Sequence, residues 1–432
     1  MEIKDQEKEV IITQEEKFDP QNFLVKHSVT LLFIIISIAA VYISKLPIFF
    51  VVNSIITRVT RNSFLVLALL IPVMSGMGLN FSITIGAMAG QFAIIIVTYL
   101  GISGIWGFIL CALIALPLAI IFGFFVGALL NKTKGQEMIT GLISGFFANG
   151  IYQLILIFMV GTIIPMKMND MMMSSGVGIR NTVDMKKAGL SYALDSIHEI
   201  PLFTLVLVVS LFFIALNIYK LKSAKHESAF KTKKRYFNIV LNILVFIFGM
   251  LISYTKMLPR NIQMLENITI PTVTSLLIIA LCFFNVLITK TKLGQDFRTV
   301  GQNKHIAEIA GIHVNKVRMY AIIISTVLAS WGQLFFLQNM GVLNTYGSHV
   351  QIALFSIAAL LIGGASASKA TISQALLGVV LFHTLFLVSP MAGKNLFGDP
   401  MIGEFFRAFI AYGVIGVSLG LHAWRKTIKG QV

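Results

Sequence analysis

The chain has 432 residues, 56% of them hydrophobic and only 12% charged, with a mean hydropathy of +0.86. A soluble domain carries about 25% charged residues, and a chain this apolar could not cover a water-facing surface with the polar side chains left over. The solvent for most of it is lipid. The net charge of +16 does not indicate nucleic acid, because Lys and Arg sit between long apolar runs rather than along one face. Cys111 and Cys282 fall inside apolar runs and read as small packing residues, not as a disulfide or metal pair.

In chain order, residues 1–28 form an acidic tail with seven acids against four Lys, the reverse of a secretory leader. A transmembrane domain covers 29–425, and 426–432 form a short second tail. A spanning helix needs about 20 mostly apolar residues. Such runs lie near 27–44, 64–79, 82–100, 105–130, 138–160, 201–219, 236–254, 271–289, 319–340, 350–362, 372–388 and 404–423. This predicts an all-α polytopic fold with ten to twelve spans. The segments 64–79 and 350–362 are short and run into Gly/Ser/Thr-rich stretches, so they read as half-helices or re-entrant pieces. Segment 48–62, with Arg58 and Arg61, is expected to lie along the outer interface.

The largest outer loop, 161–200, holds Met166, Met168, Met171, Met172 and Met173. Thioethers favour Cu(I), but no Cys or His is interleaved. An adaptable apolar surface for a partner, or a plain loop, fits better. The basic stretch 220–236, with Lys231, Lys233, Lys234 and Arg235, divides the chain into two similar halves, each with a glycine-rich interruption. The Lys/Arg bias places that stretch and both termini on the cytoplasmic side of the membrane.

None of the 18 acids lies in the middle of a predicted span. Glu137 and Glu404 stand at helix starts, where a carboxylate complements the dipole. Among bases, His383 alone is expected at mid-membrane. This disfavours a proton-coupled carrier. No HExxH, CxxC or nucleophile constellation occurs. The stretch Gly363 to Ala370 lacks the second Gly before Lys369 and the Mg²⁺-binding hydroxyl of a phosphate loop, and reads as a bend between helices. The chain is therefore expected to bind no cofactor and no ATP; if it transports actively, its energy comes from another subunit.

The segment Gly301-Gln-Asn303-Lys304-His305-Ile306-Ala307-Glu308-Ile309-Ala310-Gly311-Ile312-His313-Val314, within the loop 290–318, predicts a short helix. Asn303 suits an N-cap and Gly311 a left-handed stop. Ile306, Ile309 and Ala310 share one face, with Lys304 and Glu308 on a more polar side. An uncovered apolar face on a helix held between two spans fits a groove in a partner, although such a helix taken alone is more often a simple interfacial element.

These residues resemble the cytoplasmic loop of the permeases of bacterial ABC importers for simple sugars, nucleosides and branched-chain amino acids. The family pattern is G-x-N-x-x-A-A-x-x-(A/S)-G-I-x-V. Gly301, Asn303, Ala307, Ala310, Gly311, Ile312 and Val314 match it, and Ile306 departs from the first Ala. Gly78-Leu79-Asn80-Phe81-Ser82, Gln136-Glu137-Met138-Ile139-Thr140-Gly141-Leu142 and the pair Gly363-Gly364 followed by Gly378 are similar to further family stretches. The resemblance spans roughly residues 45–425. It implies a coupling helix, with Asn303, Ile306, Ala307, Glu308, Ala310 and Gly311 contacting a cytoplasmic ATPase that binds ATP and Mg²⁺. It also implies a second permease subunit, identical or related, and an extracytoplasmic solute-binding protein. The 136–142 run resembles nucleoside-type members and tilts the expected solute toward a nucleoside or simple sugar.

Polar side chains inside spans must face a cavity or a partner, because unpaired polar groups in hydrocarbon cost several kcal/mol. Asn80, Ser82 and Thr84 stand at the first glycine-rich break. Asn149 and Gln153 share one helix face at i, i+4. Gln333 and Gln338 lie on 319–340, and His383 and Thr384 on 372–388. Asn80, Ser82, Asn149, Gln153, Gln333 and His383 are the candidate pathway residues, with helix packing as the alternative role for each. A stand-alone secondary transporter is the competing function.

Overall fold

The structure is a computed structural model that describes residues 20–167, 170–223, 229–254 and 259–428. The chain is almost entirely helical. In order run α1 (Pro20–Ser44), α2 (Ile48–Leu67), α3 (Leu70–Met74), α4 (Ile83–Leu100), α5 (Gly104–Lys132) and α6 (Glu137–Leu154). A π turn, Ile155–Met159, prolongs α6. Two short strands follow, β1 (Thr182–Asp184) and β2 (Glu199–Pro201), then α7 (Leu202–Ser223) and α8 (Ala229–Tyr254). Strand β3 (Thr269–Pro271) leads into α9 (Thr272–Ile288), α10 (Lys292–Gln302), α11 (Lys304–Ile309) and α12 (Val314–Met340). Strand β4 (Val342–Asn344) precedes α13 (Ile352–Ile362), α14 (Ile372–Phe397) and α15 (Pro400–Ile428).

Among the described residues nine helices are long and apolar enough to cross a membrane, or ten if α9 and α10, bent by 74°, count as one broken span. In lipid each backbone polar group must be satisfied within the protein, and helices do this locally. The strands serve instead to fasten loops on one face. β1 pairs antiparallel with β4, and β2 with β3. Met171 and Met172 are buried in the lobe these loops build; Met168 lies outside the described residues.

Helix α12 is the centre of the molecule, packed on α2, α4 and α5. Small residues set the approach, as expected where lipid gives no hydrophobic drive between helices. A Cβ on Gly86 of α4 would lie 2.5 Å from the carbonyl oxygen of Thr326, and one on Gly90 2.6 Å from that of Ser330. Helix α14 forms a second hub with α1, α2, α13 and α15. Any side chain at Gly363 or Gly378 would strike the carbonyls of Gln374 or Ala359, so α13 and α14 meet backbone to backbone there. The two halves of the sequence are interlaced. The first span, α1, lies on α14, while α12 is set against α4 and α5.

Two expectations change. Segment 48–62 is not a separate interfacial piece but the start of α2, within a continuous candidate span, Ile48–Met74. No Gly or Pro interrupts 48–67, so the helix continues, and its arginines are placed against aromatic rings: Arg58 over Phe386 and Arg61 over Phe336. Basic groups therefore enter the spans at more places than His383. Much of the basic 220–236 stretch, moreover, is helix, the last turn of α7 and the first turns of α8.

Candidate functional site

The two glycine-rich breaks bring short, irregular backbone into the helical body. At the first, Gly78 and its neighbours let the chain turn between α3 and α4. Asn80 is buried and directs this turn: its Oδ1 accepts from Ser82 N at 3.1 Å and from the Ser82 hydroxyl. Its amide nitrogen donates to Ser325 Oγ of α12 at 3.3 Å, and Ser325 donates to the Ala68 carbonyl at 2.9 Å. Asn80 and Ser82 are thus occupied in folding the break.

The loop between β4 and α13 carries His349, fully buried among amides. Its Nδ1 lies 2.9 Å from Gln91 Oε1 of α4, and its Nε2 lies 2.8 Å from Asn149 Oδ1 of α6. Tyr152 donates its hydroxyl to the same Gln91 oxygen at 2.8 Å and stands edge-on to the imidazole, ring centroids 4.8 Å apart. Gln153 reaches Asn149 at 3.3 Å. Gln333 of α12 donates to the Ser348 carbonyl at 3.4 Å. Burial lowers the His349 pKa to about 4, so the ring is neutral near pH 7. A neutral imidazole offers one donor and one acceptor, so one of its two amide neighbours turns an NH₂ toward it.

The cluster borders a cleft of about 140 Å³ lined by Asn149, His349, Thr84, Phe81, Phe146 and Tyr412 among others. Among the described lining residues there is no Asp, Glu, Lys or Arg. Gln91 Nε2 and Gln333 Oε1 are buried without a protein partner. Such a site can exchange hydrogen bonds with an uncharged polar solute and offer ring faces to it. Of the candidate pathway residues, Asn149, Gln153 and Gln333 converge here. His383 is elsewhere, buried between Phe382 and Phe386 on α14. Gln338 joins a separate network around the buried Asp195. Sequence reading passed over Gln91, Tyr152 and His349 as site residues. Tyr152 stands between Asn149 and Gln153 in the chain, whereas His349 lies outside any apolar run and gave no signal.

On one face of the bundle, Asn303 caps α11 by accepting from His305 N at 2.9 Å and Ile306 N at 3.1 Å. Gly311, at φ +78°, turns the chain out of it. Ile306 and Ile309 are 57% and 75% exposed, Glu308 and Ala310 are exposed as well, and Ala307 is buried against the body. Glu137 does more than complement the dipole of α6. It accepts from Lys304 of α11 at 3.3 Å and from Arg318 of α12 at 2.5 Å.

An all-α membrane body with one sharply bent helix pair, a buried neutral polar cluster and an apolar helix presented on one face is compatible with a transport permease. The family model for the permease component of branched-chain amino acid transport systems matches residues 188–417, just over half of the chain. The chain belongs to this family of ABC-type permeases. No curated protein and no solved structure gives a significant match.

Proposed function

We propose that the chain is the pathway-forming subunit of an ABC importer for a small, neutral, polar solute, a simple sugar or nucleoside. The observation that carries this reading is the cleft at His349 and Asn149. Its amides and aromatic rings suit hydroxyls and flat rings, and it has no fixed charge to meet a zwitterion. Its volume is below the roughly 300 Å³ at which ligand pockets usually begin, which supports completion by a second permease chain, identical or related. A branched-chain amino acid is the second reading, favoured by the family description and by the N-terminus of α13 beside the cleft at Gln351, where a carboxylate could sit.

Energy comes from a separate cytoplasmic ATPase carrying ATP and Mg²⁺, docked on α11 through Ile306, Ile309 and Ala310. Asn303 and Gly311 define the ends of that helix, Ala307 anchors it and Glu308 lies on its rim. Lys132, Lys134, Lys290, Arg298, Lys316 and Lys369 belong to the loops and helix ends on this face, and the positive-inside rule then makes it cytoplasmic. An extracytoplasmic binding protein delivers solute to the lobe on the opposite face.

The test is co-purification of the ATPase with Ile309→Asp, an exposed position where a charge leaves the fold intact. Loss of the ATPase with the permease still inserted supports the assignment. Unchanged co-purification and transport would overturn it and favour a stand-alone transporter.

A further inference from the structure

Arginine is concentrated where the structure offers it little compensation. Helices α2 and α15 both lie on α14, and Phe386 of α14 meets a guanidinium group from each. Arg58 Cζ is 5.5 Å and Arg407 Cζ 4.3 Å from its ring centroid. Arg61, one turn along α2 from Arg58, lies 5.4 Å over Phe336 and contacts Met340 Sδ at 2.7 Å, with its Nε buried and unpartnered. Arg407 pairs with Glu404. Among the described residues no second carboxylate pairs with the three arginines, so the cluster carries an excess of two positive charges. Beneath it, the Nδ1 of buried His383 also has no partner, its ring 6.4 Å from that of Phe386.

Cation–π contacts contribute about 0.5–2 kcal/mol each, well short of the cost of removing a cation from water. An anion is the missing partner. Asn395 of α14 donates to the carbonyls of Ile43 and Ser44 at the end of α1 and so marks the end these two spans share. Phe386 lies two and a half turns from Asn395, about 13 Å at 1.5 Å per residue, in the half of the span nearer that end, where arginines extend toward the interface. The patch opens sideways rather than into the cleft. Arg407 is 32% exposed, and its chain neighbour Phe406 is exposed and stacked on Phe409.

We propose that Arg58, Arg61 and Arg407 bind the phosphate of an acidic phospholipid, with its acyl chains along Phe406 and Phe409. The lipid headgroup supplies the charge that Glu404 leaves unbalanced and fastens α2 and α15 to α14.

The test is native mass spectrometry of the full chain in detergent with phosphatidylglycerol or phosphatidylcholine added. The full chain is expected to retain phosphatidylglycerol preferentially. The variant carrying Arg58→Gln and Arg407→Gln should retain it at least about tenfold less, the scale for two interfacial cations. Arg407→Lys should keep most of the retention, and so should Lys134→Gln on the opposite face. Equal retention of the two lipids, undiminished retention in the double variant, or complete displacement by millimolar inorganic phosphate would overturn the proposal. The last outcome would assign the cluster to a free anion.

Discussion

Glu137, the first residue of α6, joins three elements through one carboxylate oxygen, taking wholly buried Arg318 of α12 and half-exposed Lys304 of α11. Arg318 has Nε and Nη1 without partners, so Glu137 is the group that makes its burial tolerable. Removing one partner of a buried pair leaves an uncompensated charge and costs about 3–5 kcal/mol. Glu137→Gln should therefore lower the melting temperature markedly, read by thermal unfolding of the detergent-solubilised chain. Lys304→Gln, on the half-exposed side of the pair, removes a cation that water already screens and should change stability by less than about 1 kcal/mol.

His349 gives the fold a pH dependence with a definite sign. Its pKa falls from an ordinary value of about 6.5 when unfolded to about 4 when buried. The unfolded chain then binds more protons between these values, so stability is complete above pH 6.5 and declines as pH falls toward 4. The contribution lost by pH 5 is about 2 kcal/mol. Melting curves at pH 7.5 and pH 5 should diverge for the native chain and converge for His349→Gln.

Asn149 and Asn80 should separate by readout. Asn149→Leu removes an amide from the cleft and should raise the solute concentration for half-maximal transport in vesicles. Asn80→Ala leaves buried donors unpaired at the first break, a loss of about 1–3 kcal/mol, and should lower thermal stability. A change in apparent solute affinity for Asn80→Ala with unaltered melting would contradict its role in folding the turn.

Gly86→Val tests the approach of α4 to α12. A branched side chain placed 2.5 Å from a backbone carbonyl forces the helices apart, at about 1–3 kcal/mol or more. The variant should melt earlier and aggregate on size-exclusion chromatography, whereas Gly150→Ala, with nothing within 4 Å, should not aggregate.

The helical body was readable in advance because lipid demands long apolar runs, and the short helix 304–309 because Asn303 and Gly311 mark its ends chemically. The pair Asn149 and Gln153 was legible from helical spacing alone. What spacing could not reveal is which residue from 200 positions away would fill the gap between them. His349 arrives from a loop whose path is set by β4. Asn80 and Ser82 share the polar character of Asn149, yet local hydrogen bonds of the turn use them up, a distinction composition does not carry. Arg58 and Arg61 misled because charge suggested an interfacial helix, while aromatic rings on α12 and α14 accept them inside a span.

The short ladder between β1 and β4 ties the outer lobe to the chain only five residues before His349. On the other side of the 2.8 Å contact, Asn149 rides on α6, whose first residue is bound to α11 and α12. The imidazole and the amide that meet at the cleft are thus the inner ends of two arms, one anchored to each face of the membrane. Pulling on either arm loads the same contact. A displacement of the lobe or of α11 would therefore bear on one hydrogen bond.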